Sequence, residues 1–249
     1  MRFIHIREKD IKEDDIMLIG LGDVHYGSLD CNYEKVKETV NWIKRKPNAR
    51  VILMGDLLDV GLKDSIGGGS FDNDSTPSAQ IENMIELLMP IREKIWCMLT
   101  GNHEERIRQR TSIDISRLIA NALDIPYCGT TTFIKVFFGG HNYTIFATHG
   151  SSGATTPVGK INTVVKYGSY IDADLFMMGH VHDLMHHVTD YFRISNKDKM
   201  IIKGKRHYVI TGHFLKYGGY AEAKGYIPGK TGVAKILLSK NKKSIYVSI

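Results

Sequence analysis

The sequence RVILMGDLLD at residues 50–59 contains the pattern that predicts the fold. It opens with an apolar run that lacks alternating polar residues, which is typical of a β-strand buried on both faces. The run ends through Gly55 at Asp56, whose carboxylate can bind a metal ion. Four further apolar runs end at residues with the same capacity: 16–22 before Asp23, 95–101 before Asn102, 143–148 before His149 and 174–179 before His180.

Helices are predicted between these strands, because apolar residues recur with helical spacing at 32–46, 78–92 and 112–123. Alternating strands and helices favour an α/β fold with helices on the faces of a sheet. Functional sites in such sheets form beyond the carboxyl ends of the strands. The polar residues after the five strands are therefore predicted to meet at one edge of one sheet. Beyond about residue 184, β-rich runs predict a second sheet, or strands that complete the first.

The length of 249 residues fits one domain, predicted at 1–249 with a basic, β-rich C-terminal part at about 191–249. No apolar run approaches the ~20 residues of a transmembrane helix, so no membrane partner is expected. Cys31, Cys97 and Cys128 lack CxxC spacing, and their number is odd. Together with an N-terminus unlike a secretory signal, this favours a reduced, cytoplasmic location.

Charge is distributed unevenly along the chain. Residues 191–249 carry 13 Lys and Arg against 2 Asp and Glu, a net charge of +11. The whole chain carries +6, so residues 1–190 sum to −5. A basic region can attract polyanions through their phosphates, or its lysines can protect exposed strand edges from aggregation. The sequence leaves both interpretations open, and it leaves the oligomeric state unknown.

Two segments interrupt the alternation and are predicted to be irregular. Residues 61–77 are rich in Gly, Ser and Asp and are long for a loop, which makes them a candidate lid or substrate-binding loop. Residues 151–160 resemble a phosphate-binding P-loop, but five residues instead of four separate Gly153 from Gly159, and Ile161 replaces the required Ser or Thr. Nucleotide binding of the P-loop kind is therefore excluded.

The polar residues at the strand ends form a mixed set of oxygen and nitrogen donors. The seven candidate metal ligands are Asp23, His25, Asp56, Asn102, His149, His180 and His182. Such a set suits Mn, Fe, Zn or Ni ions better than Ca or Mg. Seven ligands are too many for one tetrahedral ion. They fit two ions about 3.5–4 Å apart that share a bridging carboxylate, an arrangement used for in-line displacement at phosphorus.

In their order along the chain, these motifs resemble those of the calcineurin-like metallophosphoesterase superfamily. They are D-x-H at 23–25, G-D-x-x-D at 55–59, G-N-H-E at 101–104, a single His at 149 and G-H-x-H at 179–182. The resemblance implies an α/β fold of two mixed β-sheets packed as a sandwich and flanked by α-helices. It also implies two divalent metal ions, with Mn²⁺ expected and Fe, Zn or Ni as alternatives. One ion would be held by Asp23, His25, Asp56 and His182, and the other by Asp56 as the bridge, Asn102, His149 and His180.

The same resemblance implies a hydrolytic mechanism. Two divalent ions held by these residues would lower the pKa of a shared water, and the expected nucleophile is a metal-bridging hydroxide that would attack phosphorus in line. His103 would lie near the scissile phosphate without binding metal, and would protonate the leaving oxygen or stabilise its charge. Asp59 would orient His103.

The motifs favour the phosphodiesterase and nuclease branch of this superfamily. Protein Ser/Thr phosphatases carry a phosphate-gripping Arg directly after G-D-x-x-D, where this chain has Val60. The G-H-x-H pair instead resembles phosphodiesterases and nucleases. Arg106 and Arg108 are candidates to bind the phosphate in its place. The expected substrate is a phosphate ester, with nucleic acid or a nucleotide as candidates, and the alternatives are a phosphomonoesterase and a metal-binding interaction scaffold.

Several other His and Tyr residues carry no predicted role. His186 and His187 are interpreted as surface or core residues, and His213 is left without assignment. The tyrosines at 217, 220 and 226 have the residue type that stacks on nucleic-acid bases, but ordinary strand and turn packing is the preferred interpretation.

Overall fold

The computed structural model describes residues 2–62, 69–195, 199–218, 222, 225 and 227–249. Within these residues the strands are β1 (Arg2–Arg7), β2 (Asp15–Leu21), β3 (Ala49–Leu53), β4 (Ile95–Met98), β5 (Thr131–Phe138), β6 (His141–Thr148), β7 (Leu175–Met178), β8 (Leu184–Ser195), β9 (Met200–Thr211), β10 (Lys235–Ser239) and β11 (Ile245–Ser248). The α-helices are α1 (Tyr33–Arg45), α2 (Pro77–Leu88), α3 (Asn102–Thr111), α4 (Ile115–Ala122) and α5 (Pro157–Val165). Short 3-10 helices cover Gly69–Asp72, Met89–Lys94 and Lys166–Ser169.

The strands form two mixed sheets. The six-stranded sheet has the order β1-β5-β6-β7-β9-β8, and the five-stranded sheet has the order β11-β10-β2-β3-β4. In the smaller sheet β2, β3 and β4 run parallel, and β10 is antiparallel to β2. In the larger sheet β6, β7 and β9 run parallel, and β5 is antiparallel to β6. The α/β fold with two mixed sheets that the resemblance implies is thereby confirmed.

Apolar side chains lie on both faces of the central strands. Alternate residues of a strand point to opposite faces, so in β2 Ile16 and Leu18 face the other sheet, whereas Ile19 packs with helices α1, α2 and α4. On the outer face of the six-stranded sheet, Phe176 of β7 packs with Val164 of α5. The result is a helix–sheet–sheet–helix stack, which explains why these strands lack an alternating polar pattern.

The helix predictions at 32–46 and 78–92 agree with α1 and α2. Asn32 caps α1 by accepting a hydrogen bond from the backbone N–H of Lys35 at 3.2 Å. The second helix is α-helical as far as Leu88 and then continues as the 3-10 helix Met89–Lys94. Pro90 lies at this change, and its missing N–H cannot continue the α-helical hydrogen bonds.

Three details of the helix predictions were wrong. The helix predicted at 112–123 begins later, at Ile115. Helix α3 was not predicted, because its sequence is highly charged and its buried residues are Glu104 and Ile107, which give no apolar stripe. Helix α5 begins inside the segment 151–160 that was predicted to be irregular. Its N-terminus is set by Thr156, which accepts from the N–H of Gly159 at 3.2 Å.

The prediction of one sheet for the five strands was also wrong. β2, β3 and β4 lie in the smaller sheet, whereas β6 and β7 lie in the larger one. Doubly buried runs look alike in sequence whichever sheet they join, so spacing alone cannot divide them. Their carboxyl ends nevertheless lie at one end of the sandwich. His149, which follows β6, contacts Asp56 and Asn102, which follow β3 and β4.

The C-terminal strands complete both sheets. β9 lies between β7 and β8, and β10 and β11 extend the smaller sheet beyond β2. Tyr217 is exposed, while the tyrosines at 220 and 226 fall outside the described residues. Residues 63–68 of the 61–77 segment fall outside them as well, so its role as a lid stays a prediction.

No helix within the described residues is long and apolar enough to cross a bilayer. The longest of them, α1, has 13 residues, which is well short of the ~20 that a spanning helix requires.

Candidate metal centre

The seven candidate ligands converge at the end of the sandwich where β2, β3, β4, β6 and β7 terminate. Three groups of His and Asp atoms each lie within 4.8 Å of one another, and two of them consist entirely of candidate ligands: Asp23, His25, Asp56 and His182 in the first, and Asp56, His149 and His180 in the second; the third joins His25 to Asp59 and His103. Asn102 adds its side-chain oxygen to the second group, 2.8 Å from His180 Nδ1 and 3.0 Å from His149 Nε2. Asp56 belongs to both groups, so this grouping is the one that the resemblance implies.

The backbone around these residues is strained. Asp23, His25, Asp56, His180 and His182 all have positive φ, between 47° and 70°. This left-handed region costs a non-glycine residue roughly 1–2 kcal/mol. Such conformations persist where the surroundings enforce them, and they are concentrated at functional sites. Five strained residues among seven candidate ligands therefore make this end of the sandwich the candidate functional site.

Backbone hydrogen bonds join two of the strained turns, the one at 23–25 and the one at 55–56. The carbonyl of Asp56 accepts from the N–H groups of Val24 and His25 at 2.8 and 3.0 Å, and the carbonyl of Gly55 accepts from Asp23 N–H at 3.0 Å. The D-x-H turn after β2 is thus held directly against the G-D turn after β3. Parallel pairing of the two strands brings these motifs together although 33 residues separate them along the chain.

Donor atoms within each group have the separations expected around a shared ion. Donors that bind one ion at about 2.0–2.2 Å lie roughly 3.0–3.5 Å apart. In the first group His25 Nε2 and His182 Nε2 face each other at 3.0 Å, and His182 Nε2 lies 3.4 Å from Asp23 Oδ1. Asp56 Oδ2 lies 3.8 Å from His25 Nε2 and 3.3 Å from His149 Nε2, which places it between the groups. The residues present therefore fit divalent metal ions.

The other nitrogen of most candidate histidines has its own partner, which fixes the tautomer. His149 donates from Nδ1 to the carbonyl of Met54 at 2.9 Å, which leaves Nε2 for a metal ion. His180 donates from Nε2 to the carbonyl of Ser152 at 3.2 Å, which leaves Nδ1. His25 donates from Nδ1 to Asp59 Oδ1 at 3.2 Å. Outer partners of this kind orient metal-binding histidines and raise their basicity.

Asp56 sets the charge of the site. Burial by itself raises the pKa of Asp56, but the positive charges of His149 and His103 outweigh it, and the pKa lies well below its usual range. Burial conversely lowers the pKa of His149, yet the neighbouring Asp56 carboxylate raises it to about 10. The buried anion therefore attracts positive charge, whether a proton or a metal ion, to the histidines around it.

Glu104 braces the turns that carry the candidate ligands. Its side chain is fully buried, and its two oxygens accept four backbone hydrogen bonds. Oε1 accepts from Leu57 and Leu58 at 2.7 and 3.1 Å, and Oε2 accepts from Asp56 and Gly101 at 3.0 Å each. One carboxylate thus ties the turn after β3 to the start of α3. The sequence offered a signal for this role, because Glu at the third helical position often reaches back to the helix start.

Gly101 is required by the packing beside Asp56. A Cβ atom at this position would lie 2.1 Å from Asp56 Oδ1 and 2.3 Å from the Asp56 backbone nitrogen. Because the second of these atoms belongs to the backbone, a larger residue would displace the turn itself. Glycine therefore lets α3 start close enough for Asn102 to reach His149.

His103 forms a pair with Asp59 next to the ligand groups. Its Nδ1 donates to the carbonyl of Asp59 at 2.8 Å and lies 3.3 Å from the Asp59 carboxylate, which directs Nε2 away from Asp59. Burial lowers the pKa of His103, but the carboxylates of Asp56 and Asp59 raise it to about 9. The ring edge of His103 packs against His25, with centroids 4.4 Å apart.

Sequence reasoning missed the residues that hold Asp59. Asn73 donates from Nδ2 to Asp59 Oδ2 at 2.6 Å, while its Oδ1 accepts from Gly61 N–H and from Gln80 Nε2 at 2.8 and 3.1 Å. Gln80 is fully buried and also accepts from the N–H of Val60 at 2.9 Å. Asn73, in the C-terminal part of the 61–77 segment, therefore holds Asp59 in place beside the candidate ligands. No sequence signal indicates this, because Asn73 lies within a Gly/Ser/Asp-rich stretch.

The two candidate phosphate-binding arginines lie in different surroundings. Arg106 is half-buried on α3, and its charge acts on His103. Arg108 is exposed, forms an ion pair with Glu105, and lines a groove beside the centre. Neither arginine belongs to the ligand groups. Their binding of phosphate stays a prediction.

Of the unassigned histidines, His213 lies at the site. It is buried, and its ring stacks on that of His182 with centroids 5.5 Å apart and planes at 19°. Its Nδ1 accepts from the N–H of Leu215 at 3.3 Å. By contrast, His186 stacks on His207 in the sheet and is outside both ligand groups. His213 therefore supports the ring of His182, an arrangement that strand spacing could not predict.

Comparison with known protein families identifies the family of this chain. The family described as calcineurin-like phosphoesterase matches residues 16–217, which is more than half of the chain. The chain belongs to this calcineurin-like phosphoesterase family. Membership supports hydrolysis of phosphate esters in general and binding of divalent metal ions. No curated protein sequence gives a significant match.

Solved structures of distant proteins resemble this fold. A metallophosphoesterase from Sphaerobacter thermophilus is 12% identical, with a TM-score of 0.47 and coverage of 93% of this chain and 86% of that chain. A double mutant of Vps29 from Entamoeba histolytica is 13% identical, with a TM-score of 0.45 and coverage of 93% and 89%. Wild-type Vps29 from the same organism, complexed with zinc, is 11% identical, with a TM-score of 0.42 and coverage of 93% and 97%.

Proposed function

We propose that this chain is a phosphodiesterase that binds two divalent metal ions, Mn²⁺ in the first instance, and hydrolyses nucleic acid or a nucleotide diester. The observation that supports this most directly is the pair of ligand groups that share Asp56, with donor atoms 2.8–3.8 Å apart. Two ions about 3.5–4 Å apart can act together on one phosphate. A carboxylate shared by both groups would be compatible with that spacing.

Each proposed ion has its own ligand set. The first set is Asp23, His25, Asp56 and His182, and the second is Asp56, Asn102, His149 and His180. When bound, two such ions activate water and offset the charge that develops on the phosphoryl oxygens. The protein itself fixes these side chains through strained turns and through the carbonyl and carboxylate partners of the histidines.

His103 is proposed to act on the leaving oxygen. Because Nδ1 donates to Asp59, Nε2 is the nitrogen that can donate a proton to substrate. The nearby Asp59 carboxylate stabilises the imidazolium form. His103→Gln should therefore reduce kcat for esters with poor leaving groups by about 100-fold or more, and should reduce it much less for nitrophenyl esters. If kcat falls equally for both kinds of ester, His103 does not act as the general acid.

We propose a diester substrate instead of a monoester because of Val60, the residue after Asp59. Val60 is fully buried, and its N–H donates to Gln80, so this position cannot present a cation to a terminal phosphate. A monoester carries one more negative charge than a diester and depends more on such a cation. We therefore expect bis(4-nitrophenyl) phosphate to be hydrolysed faster than 4-nitrophenyl phosphate by the Mn²⁺-loaded protein. The reverse order would identify a phosphomonoesterase.

Metal dependence is tested by Asp56→Asn, which neutralises the shared carboxylate. The expected result is loss of turnover together with loss of bound metal, measured by elemental analysis after gel filtration. Asp124→Asn is the matched control, because Asp124 is exposed and also has positive φ, which Asn tolerates. If metal-loaded wild-type protein hydrolyses neither nitrophenyl ester, the scaffold alternative replaces the enzyme.

A further inference from the structure

A groove lies directly beside the candidate metal centre. It has a volume of about 420 Å³, which is within the usual range of ligand sites. Its floor includes Thr100 and Cys128, which are buried. Thr100 precedes the Gly101–Asn102 turn, and the carbonyl of Thr130, which also lines the groove, accepts from His149 N–H at 3.0 Å. Two residues that line the groove, Thr100 and Thr130, therefore adjoin the candidate ligands Asn102 and His149.

Three arginines line this groove, at Arg2, Arg108 and Arg117. Arg108 forms an ion pair with Glu105, and Arg117 lies 3.5 Å from Asp114. No carboxylate within the described residues forms an ion pair with Arg2. Three guanidinium groups against two carboxylates leave a net positive charge. Each guanidinium also has five N–H donors, of which one carboxylate can occupy two, so donors remain for another anion.

The groove lies farther from the metal centre than a scissile phosphate would. Arg2 begins β1, which pairs with β5, and β5 in turn pairs with β6, the strand that leads to His149. Two strand spacings amount to about 10 Å. A group bound at Arg2 is therefore separate from the phosphate at the metal centre but can belong to the same extended substrate.

We infer that this arginine groove binds a second phosphate of a polyanionic substrate, namely a neighbouring phosphate of a single-stranded nucleic acid. The inference rests on the proposed phosphodiesterase function, and it specifies the substrate class of that site. Guanidinium groups suit phosphate because they form paired hydrogen bonds to its oxygens. The hydroxyl of Thr130, which is exposed, is a further donor at the same groove. A substrate with one phosphate cannot occupy the groove and the metal centre at the same time.

The test compares the full-length protein with the double variant Arg2→Gln and Arg117→Gln. Steady-state kinetics with Mn²⁺ are measured on a 12-nucleotide oligothymidylate and on bis(4-nitrophenyl) phosphate. We expect the ratio of the two KM values, oligonucleotide over small diester, to rise about tenfold in the double variant. The slope of log KM against log salt for the oligonucleotide should also fall by roughly 0.7 for each phosphate that the double variant no longer binds.

Arg92→Gln is the matched control. Arg92 is comparably exposed and pairs with Glu93, but it precedes β4 and so lies at the opposite end of that strand from Asn102. This variant removes one positive charge without touching the groove. The double variant removes two positive charges, so if Arg92→Gln changes the logarithm of the KM ratio by half as much as the double variant does, overall charge explains the effect and the inference is wrong. An unchanged ratio in the double variant overturns it as well.

A binding measurement separates this inference from the proposed function. Fluorescence anisotropy of the labelled oligonucleotide in EDTA reports affinity without turnover. A tenfold weaker Kd in the double variant supports the groove even if wild-type protein proves inactive. Equal Kd values in wild type and double variant reject the groove even if the diesterase activity is found. Tighter binding of an acidic peptide than of the oligonucleotide would also reject the assignment to nucleic acid.

Discussion

Replacing Glu104 by Gln is expected to cause a large loss of stability without changing the shape of the side chain. The carboxylate is buried and accepts four backbone N–H groups, two at each oxygen. An amide has one oxygen and one NH₂ group, and the NH₂ group is a donor. Whichever way the amide is turned, two backbone N–H groups lose their acceptor and face another donor.

The magnitude follows from the two hydrogen bonds that Gln cannot accept. A hydrogen bond to a charged group contributes about 1.5–3 kcal/mol, so two of them amount to about 3–6 kcal/mol. Part of this is recovered, because burial and the neighbouring Asp56 carboxylate raise the pKa of Glu104 and so oppose its charged form. We expect a net loss of about 3 kcal/mol in the free energy of unfolding. For a chain of this length that corresponds to a Tm lower by roughly 6–12 °C.

The assay is equilibrium unfolding in urea, monitored by circular dichroism in EDTA so that metal binding does not contribute. Glu105→Gln is the control, because Glu105 is the next residue on α3 and its carboxylate forms a surface ion pair with Arg108. Surface pairs contribute less than about 1 kcal/mol. If Glu104→Gln and Glu105→Gln destabilise the protein equally, Glu104 does not brace the turns.

Three further predictions concern the supports of the site. Asn73→Ala should lower kcat and weaken Mn²⁺ binding, because Asp59 loses the donor that holds it. Asn48→Ala removes a comparable hydrogen bond elsewhere and should affect neither. Calorimetric titration with Mn²⁺ checks the binding of both variants. Gly101→Ala should cost about 1–3 kcal/mol of stability through overpacking against Asp56 and should weaken Mn²⁺ binding, and a normal affinity would refute the packing argument. Adding Mn²⁺ to protein stripped with EDTA should raise the Tm progressively with metal concentration, and a constant Tm in a thermal melt would contradict the metal site.

The sequence predicted which candidate ligands lie together in the structure and the approximate position of most elements that carry them. Each motif could be found because chemistry limits the residue types at a metal site and because the preceding strand is apolar. The segment Asn102–Thr111 shows where this approach fails. Its helix was missed because it is stabilised by the contacts of Glu104 and Ile107 instead of by an apolar stripe. The helix that begins at Pro157 was missed because a cap and a proline define it more than its composition does.

The sequence by itself determined the kinds of donor, their order along the chain and the strands that deliver them, because these depend on residue type and short spacing. Tertiary structure alone decided that three of those strands belong to one sheet and two to the other. It also decided that Asn73, Gln80 and His213 support the site, and that Arg2 lines the same groove as Arg117. Those contacts join residues far apart in the chain, and their distances arise from how the two sheets pack, which no local pattern encodes.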